Sequence, residues 1–176
     1  MIWVRTCLEQ KYELSGQILG DGPEEAKEVT YLGRKIKWNS WGLEYEADIK
    51  HAQDIVKLMG ISKGRAVVTP GQADDDYGET DVSVLDAEET IKFRRIAAKA
   101  NYLSQDRMDI GFVSKCIAQK MAHPCKKDWG LIKRLARYLL GANRATLKFE
   151  WQDPCRYITC FTDADWGGLQ TNEIKH

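Results

Sequence analysis

Two groups of residues in this 176-residue chain have types and spacing that could do chemistry. The first is acidic. From Arg156 to Asp165 the residues alternate, Ile158, Cys160 and Thr162 against Tyr157, Thr159, Phe161, Asp163 and Asp165, which predicts a strand with two unlike faces. A carboxylate ending an otherwise apolar strand can serve as a Mg²⁺ ligand. Phosphodiester chemistry by a metal pair needs several carboxylates gathered around ions about 4 Å apart. Asp163 and Asp165 are the carboxylates at the end of this strand. The plainer alternative is an aspartate at a strand end facing water, and a bare Asp-x-Asp also occurs in sugar-nucleotide transferases. Asp74-Asp75-Asp76 lies in polar sequence and reads as a solvated linker. Cys155, Cys160 and His176 lack the short paired spacing of a zinc site.

The second group is cationic. Lys126, Lys127, Lys133, Arg134 and Arg137 lie mostly off an apolar stripe of Trp129, Ile132, Leu135, Ala136 and Leu139, whose three- and four-residue spacing predicts a helix over 126–140. Pro124 suits its start, since proline lacks only an N–H that a first turn leaves unbonded anyway, and Gly141 suits its end. From Arg107 to Lys148 ten basic residues (107, 115, 120, 126, 127, 133, 134, 137, 144 and 148) face two acids, Asp109 and Asp128. That balance suits contact with a phosphate backbone, and it suits a solvated helical face as well.

The elements that position these groups follow from periodicity. Residues 2–12 read as an amphipathic helix with Trp3, Cys7 and Leu8 on one side. Tyr12–Leu19, Val29–Trp38 and Leu43–Ala47 read as strands, the last two joined through Asn39-Ser40-Trp41-Gly42. A helix over 49–59 buries Ile49, Ala52, Ile55, Val56 and Met59, with Asp48 as N-cap and Gly60 as stop. Phe93, Ile96, Ala97, Ala100 and Leu103 mark another helix, and Ile110, Phe112, Val113, Ile117, Ala118 and Met121 a third. Between them, residues 72–89 carry eight acids and no cation, so a formal net charge of zero conceals an acidic stretch followed by basic helices.

Several ordered motifs resemble the copia-type retrotransposon reverse transcriptase running into its ribonuclease H. They are Leu32-Gly33-Arg34-Lys35-Ile36 with Gly42-Leu43-Glu44-Tyr45, Phe93-Arg94 with Tyr102-Leu103, Asp106-Arg107-Met108-Asp109-Ile110, Pro124 with Asp128-Trp129, Lys133 through Gly141, and Phe161-Thr162-Asp163-Ala164-Asp165-Trp166-Gly167-Gly168. Met108 stands where that family has proline, and Ala97-Ala98 near its glycine. The resemblance implies an α+β chain: the end of a polymerase palm over 1–61, an acidic linker over 62–89, a basic helical thumb or connection over 90–150, and the isolated first strand of a ribonuclease H-like domain over 151–176. It implies that Asp163, with Asp165 as second choice, is the first nuclease carboxylate and would hold Mg²⁺. It also implies that the cations at 126, 127, 133, 134 and 137 grip an RNA–DNA or DNA duplex through phosphates rather than base edges. The other carboxylates of both active centres are expected outside this stretch, which makes the chain an inactive polyprotein fragment, or alternatively a non-enzymatic nucleic-acid-binding module. Other parts of the polyprotein are potential partners.

Five cysteines at irregular spacing build no disulfide framework, and reduced thiols in an intracellular protein, cytoplasmic or nuclear, are the simpler account. Met-Ile-Trp-Val-Arg has no signal-peptide pattern, and no apolar run of about eighteen residues suggests a membrane span.

Overall fold

A computed structural model describes residues 2–14, 16–72 and 80–162. The fold is α+β. Helix α1 (Ile2–Glu9) precedes a meander of β1 (Glu28–Tyr31), β2 (Arg34–Asn39) and β3 (Gly42–Glu46). Helices α2 (Ile49–Met59), α3 (Ala87–Ser104), α4 (Gly111–Gln119) and α5 (Trp129–Gly141) follow, and strand β4 (Thr146–Glu150) comes last. The four strands form one antiparallel sheet in the order β1-β2-β3-β4. Period-two alternation sorts its faces: Ile36, Tyr45 and Leu147 line up across the register on one side, Lys35, Glu46 and Thr146 on the other.

The helices hold the core. Phe93, Ile96, Ala97, Ala100 and Leu103 of α3 are buried, as are Ile132, Leu135, Ala136 and Leu139 of α5 and Ala52, Ile55 and Val56 of α2. These faces follow the sequence periodicity because a 3.6-residue repeat puts them on one side of each helix. They join in a single cluster, so the segments on either side of the acidic stretch share one interior. Each fully buried aliphatic side chain there contributes about 1.5–3 kcal/mol. The predicted caps form. Asp48 accepts from the Lys50 amide, and Gly60 closes α2 in the left-handed region at φ 69°. Helix α3 starts earlier than its apolar pattern indicates, because Asp86 and Glu89 make a reciprocal capping box.

Four sequence expectations need correction. The run from Val29 to Trp38 is two strands, since Leu32 (φ 49°) and Gly33 (φ 79°) form a two-residue turn between Tyr31 and Arg34. Tyr12–Leu19 forms no strand beyond one bridge from Leu19 to Ala26; Leu14 and Ile18 instead line a small apolar cavity with Val4 and Leu8 of α1. Residues 156–162, expected to begin a strand, pair with no strand among the described residues, and Tyr157, Ile158 and Phe161 stand largely exposed. An alternating pattern sets which face a strand would show, but only a neighbouring backbone can bond it. Conversely, 146–150, which falls within the stretch expected to be helical, is the strand that completes the sheet. Among the described residues no helix is long and apolar enough to cross a membrane.

Candidate nucleic-acid interface

The cations assigned to phosphate contact lie on or just before α5, yet they do not behave alike. After Cys125, residues Lys126–Asp128 make one 3₁₀ turn before α5 begins. Asp128 turns back and accepts from the Cys125 amide at 2.8 Å and from its thiol at 3.0 Å. Burial, reinforced by this carboxylate, pushes the Cys125 thiol up from its ordinary value, so it stays protonated. The Lys127 and Lys133 side chains are exposed and have no hydrogen-bond or ion-pair partner among the described residues. Lys126 is half exposed and lies 3.6 Å from the Asp81 carboxylate.

Arg134 and Arg137 differ. The Arg134 guanidinium donates to the Gly71 carbonyl at 3.1 Å, to the Gln72 side-chain oxygen at 2.7 Å and to the Thr69 hydroxyl at 2.6 Å. Arg137 donates to the Arg65 carbonyl at 2.7 Å, and its own carbonyl accepts from the Val67 amide at 3.3 Å. The segment read as a free linker thus lies along α5. Its approach is close: a Cβ on Gly141 would sit 2.9 Å from that of Ala66.

Other members of the basic stretch are also engaged. Arg144 pairs with Glu46, holding that carboxyl below its usual range, and Lys148 lies over the Trp41 ring. Arg107 is buried. It grips Asp109 through Nε at 2.9 Å and one terminal nitrogen at 2.6 Å, and donates to the Ala142 carbonyl just beyond α5 at 3.0 Å. Tyr138 of α5 donates to the same Asp109 at 2.7 Å. Burial alone would raise the Asp109 carboxyl, but the bonds from Arg107 and Tyr138 outweigh it and hold the group below its ordinary value. Of the ten cations between 107 and 148, Lys115, Lys120, Lys127 and Lys133 remain exposed without such partners among the described residues. Fewer of these cations are exposed and unpartnered than a count of charges along the sequence suggests.

The motif residues meet one another. Arg34 of β2 donates to Asp106 at 2.8 Å, and the Tyr45 hydroxyl of β3 donates to the other oxygen of the same carboxylate at 2.7 Å. The Asp106 bond raises Arg34 above its ordinary value, and burial followed by the Asp106 contact raises the Tyr45 phenol. Arg34 also lies 5.3 Å from the Tyr102 ring centre, and that ring packs on His51. These residues lie in separate stretches of sequence, and nothing in their spacing signals that they converge on one carboxylate.

Asp163 and Asp165 lie outside the described residues, as do Asp74, Asp75, Asp76 and His176. Among the described residues no group of three or more His, Cys, Asp or Glu side chains gathers as a metal would require. Cys155 and Cys160 are exposed, the former donating to the Tyr157 carbonyl.

Over 138 residues the chain is 28% identical to an uncharacterized mitochondrial protein of Arabidopsis thaliana, AtMg00810. The match covers 78% of this chain and 55% of the relative, so the chain spans about half of that protein's length. No family model matches the sequence, and no solved structure matches it.

Proposed function

We propose that this chain is part of a copia-type retroelement Pol polyprotein, from the end of the reverse-transcriptase palm through a helical thumb or connection towards ribonuclease H, and that it holds nucleic acid. The observation that carries the reading is the meeting of the quoted motifs: Arg34 and Tyr45 from the strand motifs converge on Asp106, beside the Arg107–Asp109 pair under Tyr138. Contacts among residues of separate motifs are what a shared ancestral fold requires. The similarity to AtMg00810 extends over most of the chain and supports a common origin with that protein.

On this reading Lys127 and Lys133 meet the phosphates of an RNA–DNA or DNA duplex, and Lys126 shares in that contact once it leaves Asp81. Arg134 and Arg137 shape the surface from behind. Contacts of that kind fix position and carry no base sequence. Mg²⁺ held by Asp163 with other carboxylates would serve phosphodiester chemistry in a complete polyprotein, and the task of the described part is binding. Replacing Lys126, Lys127 and Lys133 together with Gln leaves the arginine contacts intact. It should flatten the salt dependence of duplex affinity by up to about 0.9 in log–log slope per lysine removed. An unchanged slope refutes the assignment. Reading the flanking genomic DNA tests the origin: an upstream Tyr-x-Asp-Asp frame and downstream nuclease acids are expected.

A second reading, a self-sufficient nucleic-acid-binding module, is favoured by the single core that runs through α2, α3, α4 and α5. A cooperative thermal transition of the isolated chain supports it, and a broad one without a folded baseline counts against it.

A further inference from the structure

The connecting segment between α2 and α3 binds α5 at both ends. Residues 65–72 lie along its C-terminal half through Arg137, Arg134 and the close approach of Ala66 to Gly141. Residues 81–85 lie along its N-terminal entry. There the Lys127 amide donates to the Asp81 carbonyl at 2.8 Å, the Lys126 amide to the Ser83 carbonyl at 2.9 Å and the Leu85 amide to the Pro124 carbonyl at 3.2 Å, with the Asp81 carboxylate beside the Lys126 ammonium. Three of the five cations on this edge therefore face acceptors supplied by one segment of the same chain. Those acceptors are carbonyls, a hydroxyl, an amide oxygen and one carboxylate; like a phosphodiester oxygen each can accept from a guanidinium or ammonium, but only the carboxylate is charged.

We propose that residues 65–72, with Asp81, form an internal strap that competes with nucleic-acid phosphate for Arg134, Arg137 and Lys126, so that displacing the strap widens the phosphate-contact edge from two lysines to five cations. The proposal rests on the nucleic-acid reading above. Two features suit a displaceable strap rather than core. Thr69, Gln72 and the Arg134 and Arg137 side chains bond near the surface, and the strap contributes no residue to the buried apolar cluster. Exposed polar contacts of this kind are individually weak and exchange readily with another acceptor.

The test measures binding of the whole chain to a fluorescent RNA–DNA hybrid duplex across a KCl series. Three variants loosen the strap by different means: Thr69→Ala with Gln72→Ala removes two acceptors of Arg134, Gly141→Val wedges Ala66 away without touching any charge, and Asp81→Asn frees Lys126. Each loosened variant is expected to bind about 3–10-fold tighter at low salt, with a slope steeper by about 1–2. Arg134→Gln should barely change affinity in the native chain yet abolish the gain in the Thr69→Ala/Gln72→Ala background. Amide exchange at Val67, whose partner is the Arg137 carbonyl, should quicken when duplex is added to the native chain. Duplex binding that is equal in native and loosened chains, with Val67 protection unchanged, overturns the strap and leaves the nucleic-acid reading standing. No binding by either overturns both. A variant that does not melt cooperatively is set aside in favour of Asp81→Asn, which alters a half-exposed side chain and leaves every backbone bond in place.

Discussion

Arg107→Met should destabilise the fold far more than any other single loss of a cation, because Arg107 is the one member of the basic stretch that is buried. Its side chain is 1% exposed, and its carboxylate partner Asp109 is 34% exposed. The substitution removes the forked contact to Asp109 and the bond to the Ala142 carbonyl, leaving Tyr138 as the remaining side-chain donor to Asp109. Breaking a fully buried ion pair costs roughly 3–5 kcal/mol, and rehydration of the part-exposed Asp109 trims this to about 2–4 kcal/mol. For a chain of this size that lowers Tm by about 4–16 °C. Circular dichroism against temperature, with urea titration for the free energy, measures it. Arg107→Lys should recover little, since an ammonium cannot span both carboxylate oxygens and the Ala142 carbonyl in one plane. A pH series separates charge from packing. Asp109 is held below its ordinary value in the fold, so its contribution is complete above the unfolded carboxylate range near about 4 and is lost as pH falls through the folded value. Asp109→Asn should therefore show a shallower acid limb than the native chain. A loss below about 1 kcal/mol for Arg107→Met, or an acid limb unchanged by Asp109→Asn, refutes the reasoning.

Three further outcomes follow from local geometry. Leu32 occupies the left-handed region in a two-residue hairpin and is mostly exposed, so Leu32→Asn should stabilise by up to about 1 kcal/mol in urea unfolding, and a loss would show that its side chain packs. A Cβ on Gly42 would run into the Phe149 carbonyl of β4, which as backbone cannot swing aside; Gly42→Ala should cost at least about 1–3 kcal/mol and speed exchange of the Trp151 amide, which bonds the Trp41 carbonyl. Burial and the bond to Asp106 raise Tyr45, so its neutral form stabilises the fold below about pH 10 and that contribution is lost as pH rises through the folded value; Tyr45→Phe should flatten the alkaline decline of Tm, and an identical decline counts against the contact.

The sequence determined what is local. The apolar faces of α2, α3 and α5, the Asp48 cap and the Gly60 stop were legible because a helix repeats every 3.6 residues and its ends leave bonds that few side chains can fill. The turn between β2 and β3 was legible because Asn39-Ser40-Trp41-Gly42 places turn-forming residues between two strand-like runs. The turn at Leu32-Gly33 was missed because leucine is an unusual occupant of the left-handed region and hides the signal that Gly33 gives. Tertiary structure decided which strand completes the sheet: Thr146–Glu150 pairs with β3 about a hundred residues earlier in the chain, and a ladder of backbone bonds writes no partner into either strand's side chains. It also decided which cations are free. Arg134, Arg137 and Arg107 bond to main-chain carbonyls of residues 71, 65 and 142, and every residue has a carbonyl, so no spacing in the sequence distinguishes an arginine held this way from one that faces solvent.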